Sequence, residues 1–226
     1  MSRSILCYGD SNVWGSVSEW KETSIPSQRY DENTRWTCLL QKQLGADYHV
    51  IEEGLCGRTT IYDAPGIEYK NGSPYFLPCL LSHRPLDLVI IMLGSNDLKL
   101  VFENEYLGPE VGISRLAEIA LGLCECGANH QPPKVLLLSP IGIQPPQGRK
   151  DYFAARGGQR CITMAEAFAP AYEKVAAQKG CFFLNGALHG QPDVADGLHL
   201  TKASHLSLAT AVSKKVTEIF EMSAGI

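Results

Sequence analysis

Much of the usual enzyme vocabulary is missing from this sequence. It has no GxSxG serine elbow, no Walker A loop and no GxGxxG fingerprint, so nothing calls for a nucleotide cofactor and none is expected. It has no HExxH or HxH pair either. Its eight cysteines form no CxxC pair, and the CEC of Cys124 to Cys126 has no second pair to complete a soft-metal set, so no metal is expected. Cys7 and Cys181 lie inside apolar, strand-like runs, which reads as buried free thiols in a reducing compartment. No apolar run approaches membrane-spanning length, and the opening "SILCYGD" turns polar too soon for a signal peptide; a cytoplasmic protein is expected. Basic stripes are absent too. Twenty Lys and Arg against 24 Asp and Glu give a formal charge of −4, with the signs interspersed, which disfavours nucleic acid and membrane surfaces as partners.

What remains is an ordinary globular composition, 45% hydrophobic over 226 residues, enough to bury one core and expected to form one domain over 1–226. Five apolar, β-rich runs stand out: "RSILCYG", "YHVIEEG", "LDLVIIML", "KVLLLSP" and "CFFLNG". The third is continuous rather than alternating, as in a strand covered on both faces. Between them lie helical patterns. "TRWTCLLQKQLG" puts Trp36, Leu39, Leu40 and Leu44 on one face and stops at Gly45; "GPEVGISRLAEIALGLCECG" has Pro109 in its first turn; "TMAEAFAPAYEKVAAQKG" is expected to kink or divide at Pro170; "KASHLSLATAVSKKVTEIF" closes the chain. Strict alternation of strand and helix predicts an α/β fold, three layers α/β/α around a five-stranded, mainly parallel sheet. Three long connections, 15–33, 57–78 and 142–158, are expected to wall a binding site.

In open parallel sheets ligands sit beyond the carboxyl ends of the strands. There the sequence places "GDSN" with Ser11 after the first strand, "GLCGRTT" with Gly57 after the second, and "GSND" with Asn96 after the third; "DGLH" with Asp196 and His199 follows late in the chain. A serine that transfers acyl groups needs a base, an acid to orient that base, and donors for the developing oxyanion. His199 suits the base, and Asp196, three residues earlier, can hold its other ring nitrogen. The backbone N–H groups of Ser11 and Gly57 and the amide of Asn96 suit the oxyanion hole. Each residue also has a plainer reading, as a strand end, helix cap or turn. Four plain readings must then coincide at one sheet edge.

The four segments resemble the SGNH hydrolases, or GDSL-type esterases and lipases, with Ser11, Gly57, Asn96 and His199 in family order. "ILCYGDSNVWG", "RWTCLLQKQLGADYHVIEEGL" and "RPLDLVIIMLGSNDLK" are similar to the bacterial arylesterase and acyltransferase branch. The resemblance implies a flavodoxin-like SGNH hydrolase fold, a Ser11–His199–Asp196 triad, and an oxyanion hole of Ser11, Gly57 and Asn96. It also implies small acyl esters as substrates, acyl transfer to alcohols or peroxide, and a homo-oligomer. Asn12 stands where the family name has leucine, so a more polar pocket is expected, with Asn12 and Trp14 as candidate substrate-binding residues; Trp14 can equally be core packing. Two rival readings are a metal-dependent phosphoesterase using Asp10, Asn96, Asp97 and His199, and a noncatalytic binding module on the same fold. The other histidines, His49, His83, His130, His189 and His205, are read as structural or solvated.

Overall fold

A computed structural model describes residues 2–18, 28–64, 66–122, 126–128 and 131–224. Five strands, β1 (Arg3–Gly9), β2 (Tyr48–Gly54), β3 (Leu88–Met92), β4 (Lys134–Leu138) and β5 (Phe182–Leu184), form one sheet in the order β2-β1-β3-β4-β5. Every pairing is parallel. The side-chain period of two sorts the strand residues between two cores. Leu6, Tyr8, Val89, Ile91, Val135 and Leu137 face helices α3 (Gly72–His83), α4 (Pro109–Leu121) and α7 (Phe168–Lys179). Ile5, Cys7, Leu88, Ile90, Leu136 and Leu138 face α2 (Trp36–Leu44) and α8 (Lys202–Ala224). The expected three layers are therefore present, and each strand feeds apolar side chains into both.

Pro109 opens α4 as expected. The segment around Pro170 does divide: α6 (Gln159–Ala165) ends, and Pro170 falls in the first turn of α7, where a missing N–H is tolerated. Two of the long connections hold more structure than their sequence suggests. Residues 57–78 include a 3₁₀ turn, Glu68–Lys70, and the start of α3, which Asn71 caps by accepting from the Ser73 N–H. Residues 142–158 include the short helix α5 (Lys150–Arg156). The CEC cysteine Cys124 and His130 lie outside the described residues, as does the middle of the 15–33 connection.

The strand order reverses at β1, which lies between β2 and β3. Chains leaving β1, β2 and β3 thus diverge around one crevice, where an open α/β sheet has room for a ligand.

Candidate active site

Ser11 opens a single helical turn, α1 (Ser11–Trp14), directly beyond β1. Asp10 caps it, with the Asn12 N–H donating to Asp10 Oδ1 at 3.0 Å. The turn seats tightly on β2 because residue 54 is glycine: a Cβ there would lie 2.2 Å from the Trp14 nitrogen. A strand, a capped turn and a glycine floor fix the Ser11 hydroxyl at the carboxyl edge of the sheet.

Across the crevice stands the loop before α8. His199 Nε2 lies 2.9 Å from Ser11 Oγ, and His199 Nδ1 lies 2.5 Å from Asp196 Oδ2. The other Asp196 oxygen accepts from the N–H groups of Leu198 and His199 at 2.9 and 3.0 Å. Burial alone would raise the Asp196 pKa, but the bond from the His199 ring, its charge and these backbone donors hold it below the ordinary carboxylate value. The arrangement can pass a proton from the serine hydroxyl to the imidazole while the carboxylate fixes the tautomer.

Asn12 joins the two halves. Leu200 N–H donates to Asn12 Oδ1 at 2.9 Å, and Asn12 Nδ2 donates to the Leu198 carbonyl at 3.2 Å. Its amide thus grips the backbone on both sides of His199. Asn12 also borders the cavity, where the sequence reading places a substrate-binding candidate, with its side-chain amide committed to these two backbone bonds. Trp14 departs from expectation. At the far end of α1 its ring meets the Arg29 guanidinium at 5.4 Å, and it does not line the cavity.

The loops after β2 and β3 are tied together. Asp97 accepts from the Thr60 N–H at 2.9 Å and from Thr60 Oγ1 at 2.6 Å. Burial is the main cause that raises this carboxyl to about 7, against the pull of those two bonds. Arg58 donates to the Gly9 carbonyl at 2.9 Å and lies over the Tyr8 ring at 4.1 Å, pinning the Gly57 loop beside β1. Gly57 takes φ +81°, in the left-handed region that favours glycine. The amide of Asn96 donates to the Arg58 carbonyl at 3.1 Å and to Asp10 Oδ2 at 3.3 Å, and its oxygen accepts from Arg156 at 3.4 Å. The N–H groups of Ser11 and Gly57 find no acceptor among the described residues.

These groups border a cavity of about 350 Å³. Ser11, Gly57, Asn96, Asp196 and His199 all line it, and the three long connections supply further wall: Ser16 and Val17, Lys70, and Arg149, Tyr152 and Arg156. The last three residues and Lys99 were not singled out by sequence. For Arg149, Tyr152 and Arg156 the sequence signal is the length of the 142–158 connection; Lys99 stands just beyond the GSND motif. The ligands of the phosphoesterase reading do not converge. Asp97 turns to Thr60, Asp10 to Asn12 and Asn96, and His199 to Ser11 and Asp196. Among the described residues the one cluster of three metal-type side chains is Glu53, Cys79 and His83, none of which lines this cavity.

The three-layer fold and the comparisons that follow make this an esterase-type hydrolase. The chain belongs to the GDSL-like lipase/acylhydrolase family, whose model matches residues 7–206. Among solved structures it is similar to the inhibitor-bound aryl esterase of M. smegmatis, at 35% identity and TM-score 0.86, covering 96% of this chain and 99% of that one. It is also similar to Est24, a carbohydrate acetylesterase from Sinorhizobium meliloti, at 35% identity and TM-score 0.87, covering 96% and 100%. No curated protein sequence matches the chain significantly. Family membership places it among enzymes rather than noncatalytic binding modules.

Proposed function

We propose that the protein is a serine esterase acting on small acyl esters by a ping-pong route through Ser11. The observation that carries this reading is the unbroken line of contacts from Ser11 Oγ through His199 to Asp196. His199 Nε2 takes the hydroxyl proton as Oγ attacks the ester carbonyl carbon, and the carbonyl electron pair moves onto its oxygen. Asp196 stays ionised and stabilises the imidazolium. The N–H groups of Ser11 and Gly57 receive the oxyanion, and Asn96 Nδ2 joins them by exchanging its long contact with Asp10. When the tetrahedral species collapses, the C–O bond to the alcohol breaks and His199 returns the proton to the leaving oxygen. Water then attacks the acyl-Ser11 ester by the same steps in reverse. An alcohol or peroxide taking the place of water makes the enzyme an acyltransferase or perhydrolase.

A serine-directed fluorophosphonate should label the folded protein to one equivalent at Ser11. Ser11→Ala should lose that label, and about four or more orders of magnitude in kcat for 4-nitrophenyl acetate, with the fold intact by circular dichroism. A folded wild-type protein that resists labelling, or a Ser11→Ala variant with undiminished turnover, overturns the reading. Adding an alcohol to the assay and measuring the new ester separates transfer from hydrolysis. The thiols of Cys7, Cys38, Cys56, Cys79, Cys161 and Cys181 support a reducing, cytoplasmic setting. The family likeness supports a homo-oligomer, which sedimentation tests.

A further inference from the structure

A chain whose formal charge is −4 gathers Lys70, Lys99, Arg149 and Arg156 around one cavity. The two carboxylates lining the same space, Asp10 and Asp196, are already committed to Asn12 and Asn96 and to His199. Neither Lys70 nor Lys99 has a carboxylate within ion-pair distance among the described residues. Arg156 spends its N–H groups on the Asn96 side-chain oxygen, the Ser95 carbonyl and the Tyr152 hydroxyl, all of them uncharged. Arg149 lies 4.2 Å over the Tyr152 ring. It is also the one non-glycine residue among those described with positive φ, at +41°, a conformation that persists where the surroundings impose it and often marks a ligand wall.

Lys70 is placed close to the chemistry. A Cβ on Gly57 would lie 2.9 Å from Lys70 Nζ, so this ammonium sits against the loop that presents the Gly57 N–H. Lys99 lies on the opposite loop, three residues after Asn96, and lines the same cavity. Burial, then repulsion from Arg156 and Lys70, holds the Lys99 ammonium down to about 8 against the weaker pull of Asp10 and Asp97. A cation kept partly out of water beside other cations, with no carboxylate in direct ion-pair contact, gains from a counter-charge brought by a ligand.

Resting on the Ser11 esterase reading, we infer that the preferred substrate is an ester that also bears a carboxylate, received by Lys99 and Lys70 within the cavity. The negative potential of Asp10 and Asp196 disfavours a group of higher charge, and a single carboxylate matches two ammonium groups that leave the reacting carbonyl to Ser11. Lys99 and Lys70 are then specificity residues, drawing the anion in and fixing which end of the ester faces the hydroxyl.

The test uses the intact protein and two pairs of uncharged and charged isosteres. Mono-4-nitrophenyl adipate against its terminal amide places the carboxylate on the acyl side, and 4-acetoxybenzoate against 4-acetoxybenzamide places it on the alcohol side. In at least one pair kcat/KM should favour the carboxylate by about tenfold or more, the scale of one partly screened ion pair, and high salt should shrink that preference. The preference should fall toward one in Lys99→Met and further with Lys70→Met, and should return in Lys99→Arg. A wild-type ratio of one or less in both pairs overturns the inference, whether or not the variants fold. A preference unchanged in the double variant overturns the assignment to these lysines. Turnover of the neutral esters without charge preference sinks this inference alone, whereas no turnover of any ester by folded protein sinks the esterase reading and this inference with it.

Discussion

At the scale of single residues, the site depends on side chains that hold others in place. Asn96 is the clearest case, because its amide is aimed by three contacts: the Arg58 carbonyl, Asp10 and Arg156. Asn96→Ala should lower kcat by about 10² to 10³ if the amide donates to the oxyanion. Arg156→Met should lower kcat about ten- to a hundredfold by letting that amide turn, with KM for a neutral ester moving less. Steady-state kinetics on 4-nitrophenyl acetate read both, and an unchanged kcat for Asn96→Ala would remove it from the hole. Asn12 acts on the other partner. Asn12→Ala leaves the Leu200 N–H and the Leu198 carbonyl without their buried bonds, a cost of about 1–3 kcal/mol per group. A lowered urea midpoint together with a lowered kcat is expected. A stable variant with full kcat would show that the His199 loop holds itself.

At the scale of elements, α1 carries the hydroxyl and β2 supplies its floor. Gly54→Ala would press a methyl group into the Trp14 backbone, so a loss of about 1–3 kcal/mol is expected in denaturant unfolding, with Ser11 displaced from His199 and kcat reduced. The strands were legible in the sequence because each is built on adjacent apolar residues, even β2, where only Tyr48, Val50 and Ile51 stand among polar ones; β1 and β2 match their runs, Arg3–Gly9 and Tyr48–Gly54, at both ends. Helix α3 was not legible, since Pro74 and Pro78 fall within it and its residues show little sorting into faces. The residues that meet at the site were legible as motifs because each stands just beyond a strand or in one short turn. The groups that hold them were not. Asn12 reaches residues 186 and 188 positions away, Asp97 reaches Thr60 over 37, and Arg156 reaches Asn96 over 60. No local period or spacing encodes such pairings; they exist only once the sheet has brought the loops to one edge.

At the scale of the whole molecule, two buried ionisable groups pull stability in opposite directions with pH. His205 is 1% exposed, accepts from the Trp36 N–H at 3.2 Å and has no partner for Nε2 among the described residues. Burial first, then the charges of His199 and Arg35, lowers its pKa to about 4. Between that value and the ordinary histidine value of about 6.5, the unfolded chain takes up a proton that the folded one refuses, so stability falls as pH drops through this window. Asp97 works the other way. With its pKa raised to about 7, the folded chain keeps a proton that the unfolded chain releases, and stability falls as pH rises from the ordinary aspartate range toward 7. His205→Gln should therefore flatten the acid limb of the unfolding free energy, by up to about 3 kcal/mol between pH 6.5 and 4. Denaturant titrations across that range measure it, and identical acid limbs in the two proteins would acquit His205 of the effect.

The contact between Ser11 and His199 spans 188 positions. It therefore forms only once everything between the two segments has been made and folded into the sheet. Any fragment that stops short of residue 199 holds Ser11 without the imidazole proposed as its base, so the proposed chemistry is a property of the completed fold and of no single segment.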